Sequence, residues 1–95
     1  MMFIRKLIWD TRNTTHIAKH NVIPEEVEEV FYQQPIVQHS KINNRLVILG
    51  CTFDSRYLNV VIENKGKGIY YIVTAYDAST QDKTLFQRLK GGENK

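Results

Sequence analysis

The sequence predicts an α+β fold of order β-α-α-β-β-β-β-α, an antiparallel sheet with two N-terminal helices and a C-terminal helix packed on it. Three observations carry this reading. The apolar run Phe3 to Trp9 is followed by two helix-start signals, Asp10 and Pro24. Between Ile36 and Tyr76, β-rich runs succeed one another across short Asn, Asp and Gly turns, as in an antiparallel meander. Ser79 then opens a last amphipathic segment. Successive strands joined by tight turns place the helices on one face of the sheet.

Residues 3–9 form the first strand, with Phe3, Arg5, Leu7 and Trp9 on one side and Ile4, Lys6 and Ile8 on the other. Neither side is polar throughout, so the strand is expected to be largely buried, its cations reaching an edge. Asp10 suits the N-cap of a helix over 11–20, because its carboxylate accepts from the free amides of the first turn. Asn21 suits the left-handed residue that ends such a helix.

Pro24 fits the first position of the second helix, where its missing N–H is not needed. Glu25 and Glu26 complement the helix dipole, and Val22 staples onto Val27. Val27, Val30 and Phe31 share one face; Glu25, Glu28 and Glu29 face water.

Past Pro35, a short strand from Ile36 carries His39, and Asn43-Asn44 mark a turn. Arg45 to Phe53 reads as a strand with Val47, Leu49 and Cys51 opposite Leu46, Ile48 and Thr52. Tyr57 to Asn64 follows, then a hairpin at Lys65-Gly66-Lys67-Gly68, then a strand to Tyr76. Ser79 with Asp82 forms a capping box; Leu85, Phe86 and Leu89 are the apolar stripe of the last helix, and Gly91 ends it.

Ninety-five residues suffice for one domain, expected over 1–90 with a flexible tail at 91–95. Apolar residues make up 42% and no run approaches the roughly 20 of a membrane span. The N-terminus lacks the h-region and cleavage site of a secretory signal. A single cysteine, Cys51, cannot form an internal disulfide, so the cytoplasm is the expected compartment. The net charge of +3 permits nucleic-acid binding without requiring it.

Trp9-Asp10, Asn13, Lys19-His20, Val22, Glu25-Glu26, Val30-Phe31, Pro35, Arg45 and Gly50 resemble the BrnT toxin family of bacterial type II toxin–antitoxin systems. The run Ile72 to Ala78 matches that family's last strand in pattern, so the resemblance spans nearly the whole chain. It implies a RelE/ParE-like fold and an endoribonuclease that inhibits translation. It further implies a cognate ribbon-helix-helix-type antitoxin as partner, RNA as substrate, and contact with DNA only through the antitoxin. The chain departs from the family pattern where two arginines and a further cation are usual, with Tyr71, Tyr76 and Asp77. Tyrosine donates one neutral hydrogen bond where a guanidinium would give a charged fork.

Metal-independent RNA cleavage needs a base for the 2′-hydroxyl, an acid for the leaving 5′-oxygen and cations for the charge on phosphorus. His16 and His20, four residues apart, share a helix face with Lys19 beside them. Lys19, His20, Arg45, Tyr71 and Tyr76 are the candidate catalytic set, expected to converge on one pocket. His16, Lys65 and Lys67 are candidate RNA contacts. No cofactor and no metal is expected: His16 and His20 with His39 or Glu25 would be a weak zinc set. Set against these roles, two histidines on a helix can be a solvated face, and strand tyrosines can be sheet packing. The alternative is a catalytically impaired module of the same fold that binds an antitoxin-like partner or RNA without cleavage.

Overall fold

The structure is a computed structural model that describes residues 3–42 and 44–91. Its elements are β1 (Lys6–Ile8), α1 (Thr11–Ala18), α2 (Pro24–Tyr32), β2 (Ile36–His39), β3 (Arg45–Cys51), β4 (Tyr57–Gly66), β5 (Ile69–Asp77) and α3 (Thr80–Gly91). The predicted α+β order is the one observed.

Five strands form one sheet in the order β1-β5-β4-β3-β2. The pairs β2–β3, β3–β4 and β4–β5 are antiparallel, as expected. β1 departs from that reading by joining β5 in parallel, Leu7 facing Tyr70. Two intervening helices and the meander let the chain return to that edge in the same direction. β1 is shorter than the expected 3–9 and only half-buried; Phe3 is 71% exposed, because an edge strand of three residues is covered on one flank alone.

The helices divide between the two faces rather than sharing one. Strand alternation explains this. Ile48, Leu58, Val60, Ile62 and Ile72 meet Ile17, Val22, Val27 and Val30 beneath α1 and α2. Leu49, Cys51 and Tyr57 point the other way, where Leu85 and Phe86 of α3 cover them. α3 covers the end of that second face formed by Leu49 and Cys51 of β3 and Tyr57 and Asn59 of β4. Among the described residues no helix covers the remainder, from Arg45, Glu63 and Tyr71 to Val47, Val61 and Thr74, all half-buried.

Asp10 caps α1 as predicted: the Asn13 N–H donates to its carboxylate at 2.9 Å, and the Asp10 N–H donates to the Asn13 side chain at 2.9 Å. Buried Asn13 also donates from Nδ2 to the Ile8 carbonyl at 2.9 Å, fastening the helix start to β1. The helix ends two residues short of the expected 11–20. Asn21, at φ 60°, turns the chain, and the Val22 N–H returns to the Ile17 carbonyl at 3.1 Å. At α2, Glu26 accepts the Ile23 N–H at 3.2 Å. Glu28 and Glu29, expected to face water only, accept from Trp9 Nε1 at 3.3 Å and the Phe53 N–H at 3.0 Å.

Ser79 and Asp82 form the predicted box on α3, at 3.1 and 3.3 Å. α3 ends at Gly91, as expected; 92–95 of the expected tail lie outside the described residues, as does Asn43 of the predicted turn. Gly50 passes so near α2 that a Cβ there would meet Val30 Cγ1 at 2.9 Å and Pro35 Cβ at 3.1 Å. Among the described residues no helix is long and apolar enough to cross a membrane.

Candidate functional site on the open sheet face

The open face carries side chains in cross-strand rows. At the hairpin end, Arg45, Glu63 and Tyr71 stand side by side on β3, β4 and β5. Val47, Val61 and Thr74 follow; in the next row Leu49 and Asn59 are buried beneath α3 and Tyr76 is exposed at the β5 side. From Arg45 to Leu49 is four residues, roughly 13 Å along the strand.

The first row floors a cleft of about 470 Å³. α1 walls it with its cap Asp10, with Arg12 and Asn13 of its first turn and with His16 of its last, and Lys65 and Val73 complete the lining. Three basic side chains thus face two acidic ones, beside one imidazole. Lys65 Nζ lies 2.8 Å from Glu63 Oε1, and Arg45 Nε lies 3.7 Å from Oε2. The hydrogen bond and charge of Lys65, and then Arg45, hold the Glu63 carboxyl below its ordinary range, so it is an acceptor only. Arg45 Nε is buried and has no hydrogen-bond partner among the described residues. The Tyr71 hydroxyl donates to Asp10 Oδ1 at 3.2 Å. Burial, then that bond and the charge of Asp10, pushes the phenol upward, so it stays a donor.

A second cluster lies beside the first. His16 and His20 have ring centroids 5.8 Å apart, and His20 lies 6.1 Å from Tyr76. His16 therefore belongs to both clusters and joins them. The expected convergence of Lys19, His20 and Arg45 on one pocket takes a different form: Arg45 lines the cleft, His20 sits in the aromatic cluster, and exposed Lys19 follows the last helical residue of α1 and lines neither. Lys65 lines the cleft, whereas Lys67 is exposed at the hairpin tip with φ 57°. His39 lies on the opposite edge strand, and among the described residues no three of His, Cys, Asp and Glu come together as a metal site would require.

Sequence reasoning missed Arg12 and Glu63 in the cleft and, beside the histidine cluster, Arg56. Its Nε donates to Asp77 at 2.8 Å, Nη1 to the Asn21 carbonyl at 2.7 Å and to Glu26 at 3.0 Å, and Nη2 to the His20 carbonyl at 3.2 Å. Both carbonyls belong to the turn that follows α1, and the guanidinium gives them charge-assisted hydrogen bonds. Arg56 thereby fixes the backbone that carries His20. It also explains Asp77: the carboxylate standing where the family pattern has a cation is bound to Arg56 and held below its ordinary range by that bond. No local signal in the sequence links positions 20, 26, 56 and 77.

No family model and no curated protein matches the chain. Among solved structures, the crystal structure of the Brucella abortus ribonuclease toxin BrnT is similar over 84% of this chain and 100% of its own length, with 24% identity and a TM-score of 0.64. The chain therefore has the BrnT-like fold that the resemblance of its residues implied.

Proposed function

We propose that this protein is a toxin-type endoribonuclease whose RNA lies along the open sheet face, from the cleft to the histidine cluster. The observation that carries the reading is the contiguity of His16, His20 and Tyr76 with a cleft bearing Arg12, Arg45 and Lys65. One imidazole takes the proton of the 2′-hydroxyl as that oxygen attacks phosphorus. The other gives a proton to the departing 5′-oxygen, leaving a 2′,3′-cyclic phosphate and a 5′-hydroxyl. Tyr76 donates to the phosphate, and exposed Lys19, the residue before His20, adds positive charge from outside the cluster. Arg45, Tyr71 and Lys65 hold the strand in the cleft, and Lys67 meets the backbone beyond it.

The reaction as drawn uses protons and fixed charge alone, and needs no cofactor. Its setting is the cytoplasm, with a ribbon-helix-helix-type antitoxin as the neutralising partner and the one link to DNA. Induced expression in a growing bacterium is expected to arrest growth with loss of intact RNA. The His16→Ala/His20→Ala pair is expected to permit growth at equal protein level. Growth arrest unchanged in that pair contradicts the assignment.

A second reading has its own observation. Glu63 and Asp10 temper the cleft, and tyrosines stand at 71 and 76. In that reading the same face binds RNA, or an antitoxin-like partner, without cutting. RNA retained but left intact by pure protein selects it.

A further inference from the structure

The cleft is an odd receptor for a phosphate. Glu63 and Asp10 both line it, and each opposes an anion. Alternating donors and acceptors suit a nucleobase edge instead, and single-stranded RNA is read through such edges. We propose that the cleft is a guanine-reading subsite: Glu63 accepts the base N1–H and N2–H, Lys65 donates to O6, and the base rests against Tyr71 and Val73. This rests on the assignment of the open face to RNA.

Glu63 is the group that selects the base. An ionised carboxylate accepts and never donates. Guanine presents two adjacent N–H donors on its Watson–Crick edge; adenine and cytosine there present a donor beside an acceptor, and uracil has one donor between two acceptors. A fixed, acceptor-only carboxylate therefore favours guanine. The strands fix Glu63 in place: it sits between Arg45 and Tyr71 in a single cross-strand row.

Glu63 also has capacity to spare. Lys65 takes one position on Oε1 at 2.8 Å, and Arg45 Nε, at 3.7 Å from Oε2, is beyond hydrogen-bond range. Two carboxylate oxygens offer about four acceptor positions. Lys65 lies beside the carboxylate, where O6 follows N1–H along the guanine edge. The Tyr71 ring is anchored through its hydroxyl to Asp10, 3.2 Å away, and bases stack on aromatic side chains irrespective of sequence. A cleft of about 470 Å³ admits a base with its sugar.

The test uses the full chain and uncleavable 2′-O-methyl RNA tetramers with G, A, C, U or inosine at one inner position among uridines. Dissociation constants are read by fluorescence anisotropy. The G tetramer is expected to bind about tenfold or more tighter than the A tetramer, as a bidentate contact discriminates. Inosine, which lacks the N2 amino group, is expected to fall between them. Glu63→Gln is expected to bring G and A within about threefold while thermal unfolding stays cooperative. The inosine comparison is made on the wild-type chain and stands even where Glu63→Gln folds poorly. Equal binding of all tetramers, or inosine equal to G, overturns the proposal. RNA cut without base preference defeats the guanine subsite and leaves the nuclease standing; G-selective binding without cleavage does the reverse.

Discussion

Replacing Arg56 by Ala tests how the site is held together. The side chain is about a quarter exposed, as is Glu26, and their contact is 3.0 Å. A hydrogen bond to a charged group contributes about 1.5–3 kcal/mol net when partly buried. The Asp77 pair adds less, because Asp77 is 65% exposed and solvent screens it. The His20 and Asn21 carbonyls lose their guanidinium donor but lie where water can replace it. The expected loss is therefore about 2–4 kcal/mol. For a domain of this size that lowers the unfolding midpoint by roughly 10–25 °C. The assay is thermal unfolding by circular dichroism, joined to RNA cleavage measured well below the lowered midpoint. Arg56→Lys is expected to restore at most the contact to one carboxylate, because a single ammonium cannot span four acceptors. A loss below about 1 kcal/mol, or Lys equal to Arg, would refute the view that Arg56, just before β4, ties the turn after α1, α2 and the end of β5 into one unit.

Three more outcomes follow from the same contacts. Gly50→Ala forces its methyl against Val30 Cγ1 at 2.9 Å and Pro35 at 3.1 Å, and is expected to destabilise by about 1–3 kcal/mol in urea unfolding, with β3 kept at a distance from α2. Asn13→Ala removes half of the reciprocal cap and the bond to the Ile8 carbonyl; a loss of about 2–3 kcal/mol is expected, with amide exchange fastest in the first turn of α1. Asp77 is held below its ordinary value of 3.8 by Arg56, so its contribution is full above that value and disappears as pH falls through the depressed one. Asp77→Asn is expected to be less stable at pH 7 and to show a shallower decline in stability below about pH 4 than the parent chain; parallel acid limbs for the two proteins would contradict the ion pair.

Much of the scaffold was legible because its signals are local. Asp10, Pro24, Asn21 and Ser79 act within a turn of themselves, and each performs the expected role. Strand alternation between Arg45 and Cys51 gave both faces of β3 correctly. What local signals omit is direction and partnership. Nothing in Lys6 to Ile8 encodes parallel pairing with Ile69 to Tyr71, since register there depends on how the intervening chain returns. The helices were expected on one face because apolar stripes state that a face is buried, not against which side of a sheet.

The site shows the same division. His16 and His20 were legible as neighbours by helical spacing, and they are. Arg45 was drawn toward Lys19 and His20 because the sequence carries no distances; the sheet puts it two rows from Tyr76, beside Glu63. Glu63 was passed over since a lone carboxylate in a strand has no signature. Only the cross-strand row of Arg45, Glu63 and Tyr71 gives it meaning.

The central claim is that the open face cuts RNA through His16 and His20. Its most direct measurement is the 3′-end chemistry of RNA incubated with pure protein at low salt in excess EDTA. The account predicts fragments ending in 2′,3′-cyclic phosphate, formed by the wild-type chain and lost in His16→Ala/His20→Ala. Intact RNA from well-folded wild-type protein, or cleavage that vanishes with EDTA and survives loss of both histidines, would contradict it.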